Sequence, residues 1–337
     1  MGNYAFGVDI GGTTIKLGLF DQNGNILDKW EIPTRTEDDS RNLLPDVARS
    51  ILHSMKERGI EADEVLGAGI GFPGPVDEKG TVHEAANLGG GVFNVPEAFG
   101  NYLPFPVKAA NDANVAAFGE MRKGGGKGAS NLVMVTLGTG VGGGIIVNGN
   151  ILTGAVGAGG EIGHIHLEDS ETEECGCGNK GCLEQYTSAT GIVRLAKRRL
   201  AEDEKPSVLR GDSLSAKKVF DAIKDKDEVA MEVGRRFGEY LGKGLAGVAA
   251  VVNPEVFLIG GGVSNAGGIL LDYIRPPYAK YAFPKCREAR FALAELGNDA
   301  GIYGAAGLIL DGAAEESARK KPPENAGEKR NKNTGET

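Results

Sequence analysis

Residues 4–32 fall into three apolar runs separated by turn residues: YAFGVDI, a Gly-Gly-Thr-Thr turn, IKLGLF, the turn DQNG, and NILDKWEI. This pattern predicts three strands, because Asn-Gly between alternating apolar runs is the strongest short-range hairpin signal. Residues 131–155 repeat the plan as NLVMVTLGTGVGGGIIV, then NG, then NILTGA. Even Asn23-Gly24-Asn25-Ile26-Leu27 recurs, as Asn148-Gly149-Asn150-Ile151-Leu152. The expectation is a duplicated unit of strands and hairpins, the two copies 125 residues apart.

Helical stripes follow each unit. Residues 40–58 place Leu43, Leu44, Val47, Ile51, Leu52 and Met55 on one face, with Ser40 as the expected N-cap. A long amphipathic stretch over 228–252 ends at Asn253-Pro254, where proline stops a helix. A short strand, Val256 to Ile259, comes next, and the last apolar element reads as a helix over 299–311. From Ala313 to Thr337 no apolar residue exceeds alanine, so this tail is expected to be disordered.

Composition changes the picture in three places. The 54 glycines cluster at the ends of apolar runs, where a residue without Cβ lets backbone approach a ligand. A net charge of −9 argues against a protein that coats nucleic-acid phosphates. The chain starts MGNYAFGVDIGG, with no signal-peptide pattern, and no apolar run is long enough to span a bilayer, so a reducing cytoplasm is the expected compartment.

Three glycine-rich turns end apolar strands: Asp9-Ile10-Gly11-Gly12-Thr13-Thr14 with Lys16 just beyond, Gly138-Thr139-Gly140-Val141-Gly142-Gly143-Gly144, and Gly260-Gly261-Gly262-Val263-Ser264. Backbone N–H groups and hydroxyls in such turns form a donor surface for phosphate oxygens, and Asp9 could hold Mg²⁺ beside them. None is a Walker A loop, since no Gly-Lys-Ser/Thr follows. The second fits the dinucleotide fingerprint only in part, because a strand and hairpin follow it rather than a helix.

Three of the four cysteines lie within eight residues, as Cys175-Gly176-Cys177-Gly178-Asn179-Lys180-Gly181-Cys182. With one imidazole they would make a closed, structural Cys₃His zinc site. Spacing alone leaves His164 and His166 both open as the fourth ligand, since alternate residues on a strand share a face. Cys286 is expected to be a small buried hydrophobe, and His53 and His83 ordinary solvated residues.

With these residues in place, the chain resembles the ROK (repressor, open reading frame, kinase) family, and within it the bacterial glucokinases. The likeness runs from about Tyr4 to Leu310 and rests on VDIGGTTIKLGLF, GIGFPGPVD, AANDANVAAFGE, LGTGVGGGIIVNG, GEIGH and CGCGNKGCLEQYTS. The resemblance implies an α/β fold of two ribonuclease-H-like lobes, of the actin and hexokinase superfamily, closing over ATP and sugar. The lobes would be residues 1–112, completed by the helix 299–312, and residues 113–298 with the zinc loop 164–182.

The resemblance also implies Asp112 as catalytic base, and a hexose site of Gly74, Asn87, Asn111, Asp112, Glu161, His164 and Glu184. It selects His164 as zinc ligand with Cys175, Cys177 and Cys182. It implies ATP and phosphate contacts from Asp9, Gly11, Gly12, Thr13, Thr14 and Lys16, from Gly138, Thr139, Gly140, Gly142 and Gly143, and from Gly260, Gly261 and Gly262, with Mg²⁺, and a homodimer or higher homo-oligomer. The expected reaction is ATP-dependent phosphorylation of a hexose 6-hydroxyl, most simply glucose. The alternatives are kinases for N-acetylmannosamine, N-acetylglucosamine, fructose or allose, a chaperone-like ATPase, and a sugar-sensing regulator. A regulator would carry an N-terminal DNA-binding extension, for which the first loop at Asp9 is expected to leave no room. One departure stands out: many glucokinases carry tryptophan after Asn-Leu-Gly of the sugar loop, where this chain has Gly90, and Trp30 is its one tryptophan.

Overall fold

The structure, a computed structural model, describes residues 2–83, 91–211 and 213–320. Asn87 and the end of the expected tail, 321–337, lie outside the described residues. The first sheet contains β1 (Tyr4–Ile10), β2 (Thr14–Asp21), β3 (Ile26–Pro33), β4 (Val65–Phe72) and, after the two-residue strands β5 (Thr81–Val82) and β6 (Phe93–Asn94), β7 (Val107–Asn111). The second contains β8 (Leu132–Leu137), β9 (Val141–Val147), β10 (Asn150–Ile151), β11 (Val256–Gly260) and β12 (Arg290–Leu293).

The strand orders are β3-β2-β1-β4-β7 and β10-β9-β8-β11-β12, so the two sheets share one topology. In each, the first three strands are antiparallel neighbours and the last two pair parallel. The duplication read from the hairpins therefore extends to whole sheets. At the second hairpin Asn148 (φ 51°) and Gly149 (φ 78°) are both left-handed, as a two-residue turn matched to strand twist requires.

The helices are α1 (Leu43–Arg58), α2 (Val95–Phe99), α3 (Asp112–Lys123), α4 (Glu184–Thr187), α5 (Ala189–Leu200), α6 (Ala216–Lys224), α7 (Glu228–Val252), α8 (Ile269–Tyr281) and α9 (Ala300–Lys320). Two expectations need correcting. The cap of α1 is Asn42, not Ser40, because a 3₁₀ turn over Glu37–Ser40 intervenes and Ser40 itself is left-handed at φ 59°. The last helix passes residue 312 and runs to Lys320, into the segment expected to be disordered. Among the described residues, no helix is long and apolar enough to cross a membrane.

Each sheet has its own core: Val8, Leu17, Ile51, Ile70 and Phe72 in the first, Val133, Val135, Phe237, Leu241 and Phe257 in the second. Helix α9 follows the second sheet in sequence but packs on the first, burying Ile302, Ala306 and Ile309 against Ala5 and Phe20. Glycines let it approach closely. A methyl group at Gly69 of β4 would collide with the Ala305 carbonyl of α9. Gly69→Ala is thus expected to destabilise the protein by about 1–3 kcal/mol, as overpacking does. Chemical unfolding measures this, and an unchanged midpoint would show that α9 can shift without loss.

Candidate active site

Asp112 is the first residue of α3, directly after β7, so the strand end and the helix start both fix its place. Asn111 caps the helix: its Oδ1 accepts from the Asn114 N–H (3.0 Å). Its Nδ2 donates to Asp112 Oδ1 (2.9 Å) and to the Gly74 carbonyl (3.1 Å), so Asn111, Asp112 and Gly74 come together as expected. The Ala113 N–H also donates to Asp112 Oδ1 (2.7 Å). Burial holds the Asp112 carboxyl above its ordinary range and Glu161 adds to this, against the pull of those donors.

Asp9, near the end of β1, sits against the first turn of α9, where a side chain on Gly301 would strike its carboxylate. Burial, and then the charge of Asp112, push its carboxyl up to about 6, while Lys16 pulls the other way. Lys16 Nζ itself donates to the Asn298 carbonyl (3.1 Å). Asp9, Asp112 and Glu161 thus form a run of interacting carboxylates, a surface suited to a cation.

The raised Asp9 carboxyl makes a stability prediction for the ligand-free protein. Its proton is held more tightly folded than unfolded, so its contribution is fully present below pH 3.8 and is lost as pH rises through about 6. At pH 7.5 the ionised Asp9 is a burden that Asp9→Asn removes, with a gain on the order of 2 kcal/mol that fades toward pH 4. Equal unfolding midpoints for both proteins at pH 7.5 would contradict this.

The glycine turns separate into two groups. Gly11 and Thr13 are braced by Thr34, whose hydroxyl donates to the Gly11 carbonyl (2.6 Å) and whose N–H donates to that of Thr13 (2.9 Å). Gly12 faces open space between them. The second and third turns lie together: Gly261 (φ 80°) is pressed on the Leu137 backbone, where any side chain would collide. Gly138, Thr139 and Gly262 share a cavity of about 540 Å³ with Ala216, Phe220 and Val263, a largely apolar slot that Lys217, Asp221 and Asn265 also line. The first turn does not line this cavity. Gly142 and Gly143 are not turn residues at all. They lie within β9, paired with Thr136 and Val135, and Gly143 makes room for Gly160 and Ile162.

The predicted metal ligands converge. One ligand atom each from His164, Cys175, Cys177 and Cys182 lies within 4.8 Å of all the others. Cys177 Sγ is 3.7 Å from Cys182 Sγ, and Cys175 Sγ is 3.7 Å from His164 Nδ1. Those are edge lengths of a tetrahedron whose centre lies about 2.3 Å from sulfur and about 2.0 Å from nitrogen. Burial pushes the Cys182 thiol up to about 12 and raises Cys175 as well, while the Asn179 N–H lowers Cys177, so a cation among them would favour the thiolates that burial opposes.

His166 is excluded: its Nδ1 bonds the Lys180 carbonyl (2.8 Å) and its Nε2 bonds Asp169 (2.7 Å). His164 Nε2 is left facing Glu161, at 3.9 Å from its carboxylate. Glu184 Oε2 accepts from the Val141 N–H (2.8 Å), and its other oxygen lies 3.6 Å from Cys175 Sγ. It therefore stands between the second glycine turn and the cysteine cluster.

Of the remaining expectations, Cys286 is buried and His53 is exposed, as read from sequence. His83 is not an ordinary solvated residue: its Nε2 bonds Asp77 Oδ2 (3.0 Å), and Asp77 also accepts from Lys79 and Thr81. Sequence reasoning also missed Glu171, a buried carboxylate that accepts two bonds from Arg198 and one from Tyr186 (2.7 Å) beside the cysteine loop.

A model of the ROK family matches residues 5–312. The chain belongs to the ROK family. It is 41% identical over 309 residues to the glucokinase of Halalkalibacterium halodurans, covering 90% of this chain and 94% of that one. The crystal structure of a ROK family glucokinase from Streptomyces griseus, in complex with glucose and AMPPNP, is 34% identical, with a TM-score of 0.69 over 90% of this chain and 98% of that one. A ROK family transcriptional regulator has a TM-score of 0.80 at 26% identity, over 92% of this chain and 78% of its own. The ROK fold thus serves kinases and regulators alike, and only the site can separate them.

Proposed function

We propose that this ROK protein transfers the γ-phosphoryl group of ATP to the 6-hydroxyl of glucose, with Asp112 as general base. The observation that carries the reading is the partly buried Asp112 carboxylate, fixed by the Asn111 amide and its own helix start, with the Glu161 carboxylate near enough to raise it.

Phosphoryl transfer asks mainly for positioning and charge neutralisation. The adenine would occupy the slot of Phe220 and Val263, with Gly138 and Thr139 at its polar edge. The Gly11–Thr14 turn would meet the phosphates from the first sheet. Mg²⁺, when bound near Asp9, neutralises phosphate charge. Asn111, Glu161, His164 and Glu184, with Asn87, hold the sugar hydroxyls, and Asp112 takes the 6-hydroxyl proton as that oxygen attacks phosphorus.

Zinc held by His164, Cys175, Cys177 and Cys182 would be structural. With Nδ1 on the metal, His164 Nε2 must carry its proton, so it becomes a donor of fixed direction on the sugar side. Closure of the two lobes, 1–112 with 299–312 and 113–298, would exclude water, and the enzyme would work in the cytoplasm.

The test is ADP release, coupled to NADH oxidation, over a panel of sugars. Glucose should exceed N-acetylglucosamine, N-acetylmannosamine, fructose and allose in kcat/KM. A better N-acetylhexosamine would move the substrate assignment, and no sugar-dependent release would refute a kinase.

A further inference from the structure

The chain crosses between the two sheets twice. It leaves β7 along α3 to reach β8, and returns from β12 through residues 294–299 to α9. Glu120, near the end of α3, is 0% exposed and lies where these crossings meet. Its Oε1 accepts from the N–H groups of Glu295 (2.9 Å) and Leu296 (2.7 Å). Its Oε2 accepts from Gly125 (2.9 Å) and again from Glu295 (3.1 Å). No Lys, Arg or His of the described residues forms an ion pair with it. A buried carboxylate held by backbone N–H groups alone joins segments rather than balancing charge.

The surroundings are shaped for this joint. A methyl group at Gly124 would strike Glu120 Oε2, one at Gly125 would meet the Leu293 carbonyl, and one at Gly126 would strike Leu132. The Gly125 carbonyl accepts in turn from Arg290 of β12 (3.1 Å). Along the same interface α3 and α9 touch through glycine: a side chain at Gly119 would collide with Ala300, and one at Gly304 with Val115. The two helices are therefore in backbone contact along this interface. One carries Asp112 at its start, and the other backs Asp9 with its first turn.

We propose that Glu120 is a positioning residue that bolts the two crossings together, so that α3, with Asp112 at its start, keeps its place against α9 when the lobes close. This rests on the kinase reading above. Without the bolt the helices can slide by a fraction of an ångström, and a misplacement of about 1 Å can cost about a hundredfold in rate.

The test is Glu120→Gln. Glutamine keeps the shape but turns an N–H donor toward one of the backbone donors, so at least one bond is lost. Kinetics are measured at a temperature where circular dichroism shows full folding, with Phe118→Leu, in the same helix, as a control for destabilisation. Glu120→Gln should lower kcat by about tenfold to a hundredfold, with the glucose Kd within about threefold. Phe118→Leu should keep kcat within about twofold however far its melting temperature falls.

A Glu120→Gln enzyme with wild-type kcat, or a Phe118→Leu enzyme equally impaired, would overturn the proposal. An inactive wild type would instead refute the kinase reading. If Glu120→Gln does not fold, amide hydrogen exchange in the wild type decides. Gly125, Glu295 and Leu296 should be as protected as the centre of α3, with and without glucose and AMPPNP, and rapid exchange there would overturn it.

Discussion

Asp112→Asn is expected to lower kcat by about 10²–10⁴, while the glucose Kd moves by no more than about threefold. The asparagine keeps the size of the side chain and can still accept from Ala113 N–H at its Oδ1, but it cannot take a proton. Asn111, Glu161, His164 and Glu184 would still grip the ring. The loss therefore falls on an interaction formed in the transition state. Glu161→Gln should show the opposite balance, weakening glucose binding more than it slows bound sugar. Steady-state kinetics with calorimetric Kd values separate the two, and an Asp112→Asn enzyme with most of its kcat would move the base elsewhere.

Cys177→Ser is expected to reduce bound zinc from about one per chain to almost none, and to lower kcat/KM for glucose by about 10–100-fold. Cys177 is exposed and has no proposed part in sugar or phosphate binding, so its removal is expected to act through the metal. Without the cation, His164 loses its fixed tautomer, and the Cys175 thiol beside Glu184 no longer holds its place. Metal analysis and glucose calorimetry on the same preparation measure both effects. Protein purified without chelator and found free of zinc, yet fully active, would contradict the assignment.

Much of this arrangement was legible in the sequence because its signals are local. The strands flank glycine and Asn-Gly turns whose φ angles few other residues tolerate, and the second hairpin shows them at Asn148 and Gly149. The cysteine loop announces itself by spacing, and its four ligands do converge. What stayed hidden depends on contacts distant in sequence. Nothing in the sequence marks Glu120, because its partners, Glu295 and Leu296, are 175 and 176 residues away along the chain. His83 reads as solvated because its bond to Asp77 depends on a tight turn not visible in hydropathy. Gly142 and Gly143 looked like more of the phosphate turn, but a glycine admitting a neighbouring backbone and one admitting a ligand are spelled alike.

The most direct test of the account is ³¹P NMR of the purified protein with Mg²⁺, ATP and glucose. The account predicts that glucose 6-phosphate and ADP grow in together, one for one, and that inorganic phosphate stays at the level of the protein-free sample. ADP matched by inorganic phosphate, or no ADP beyond that control, would contradict it.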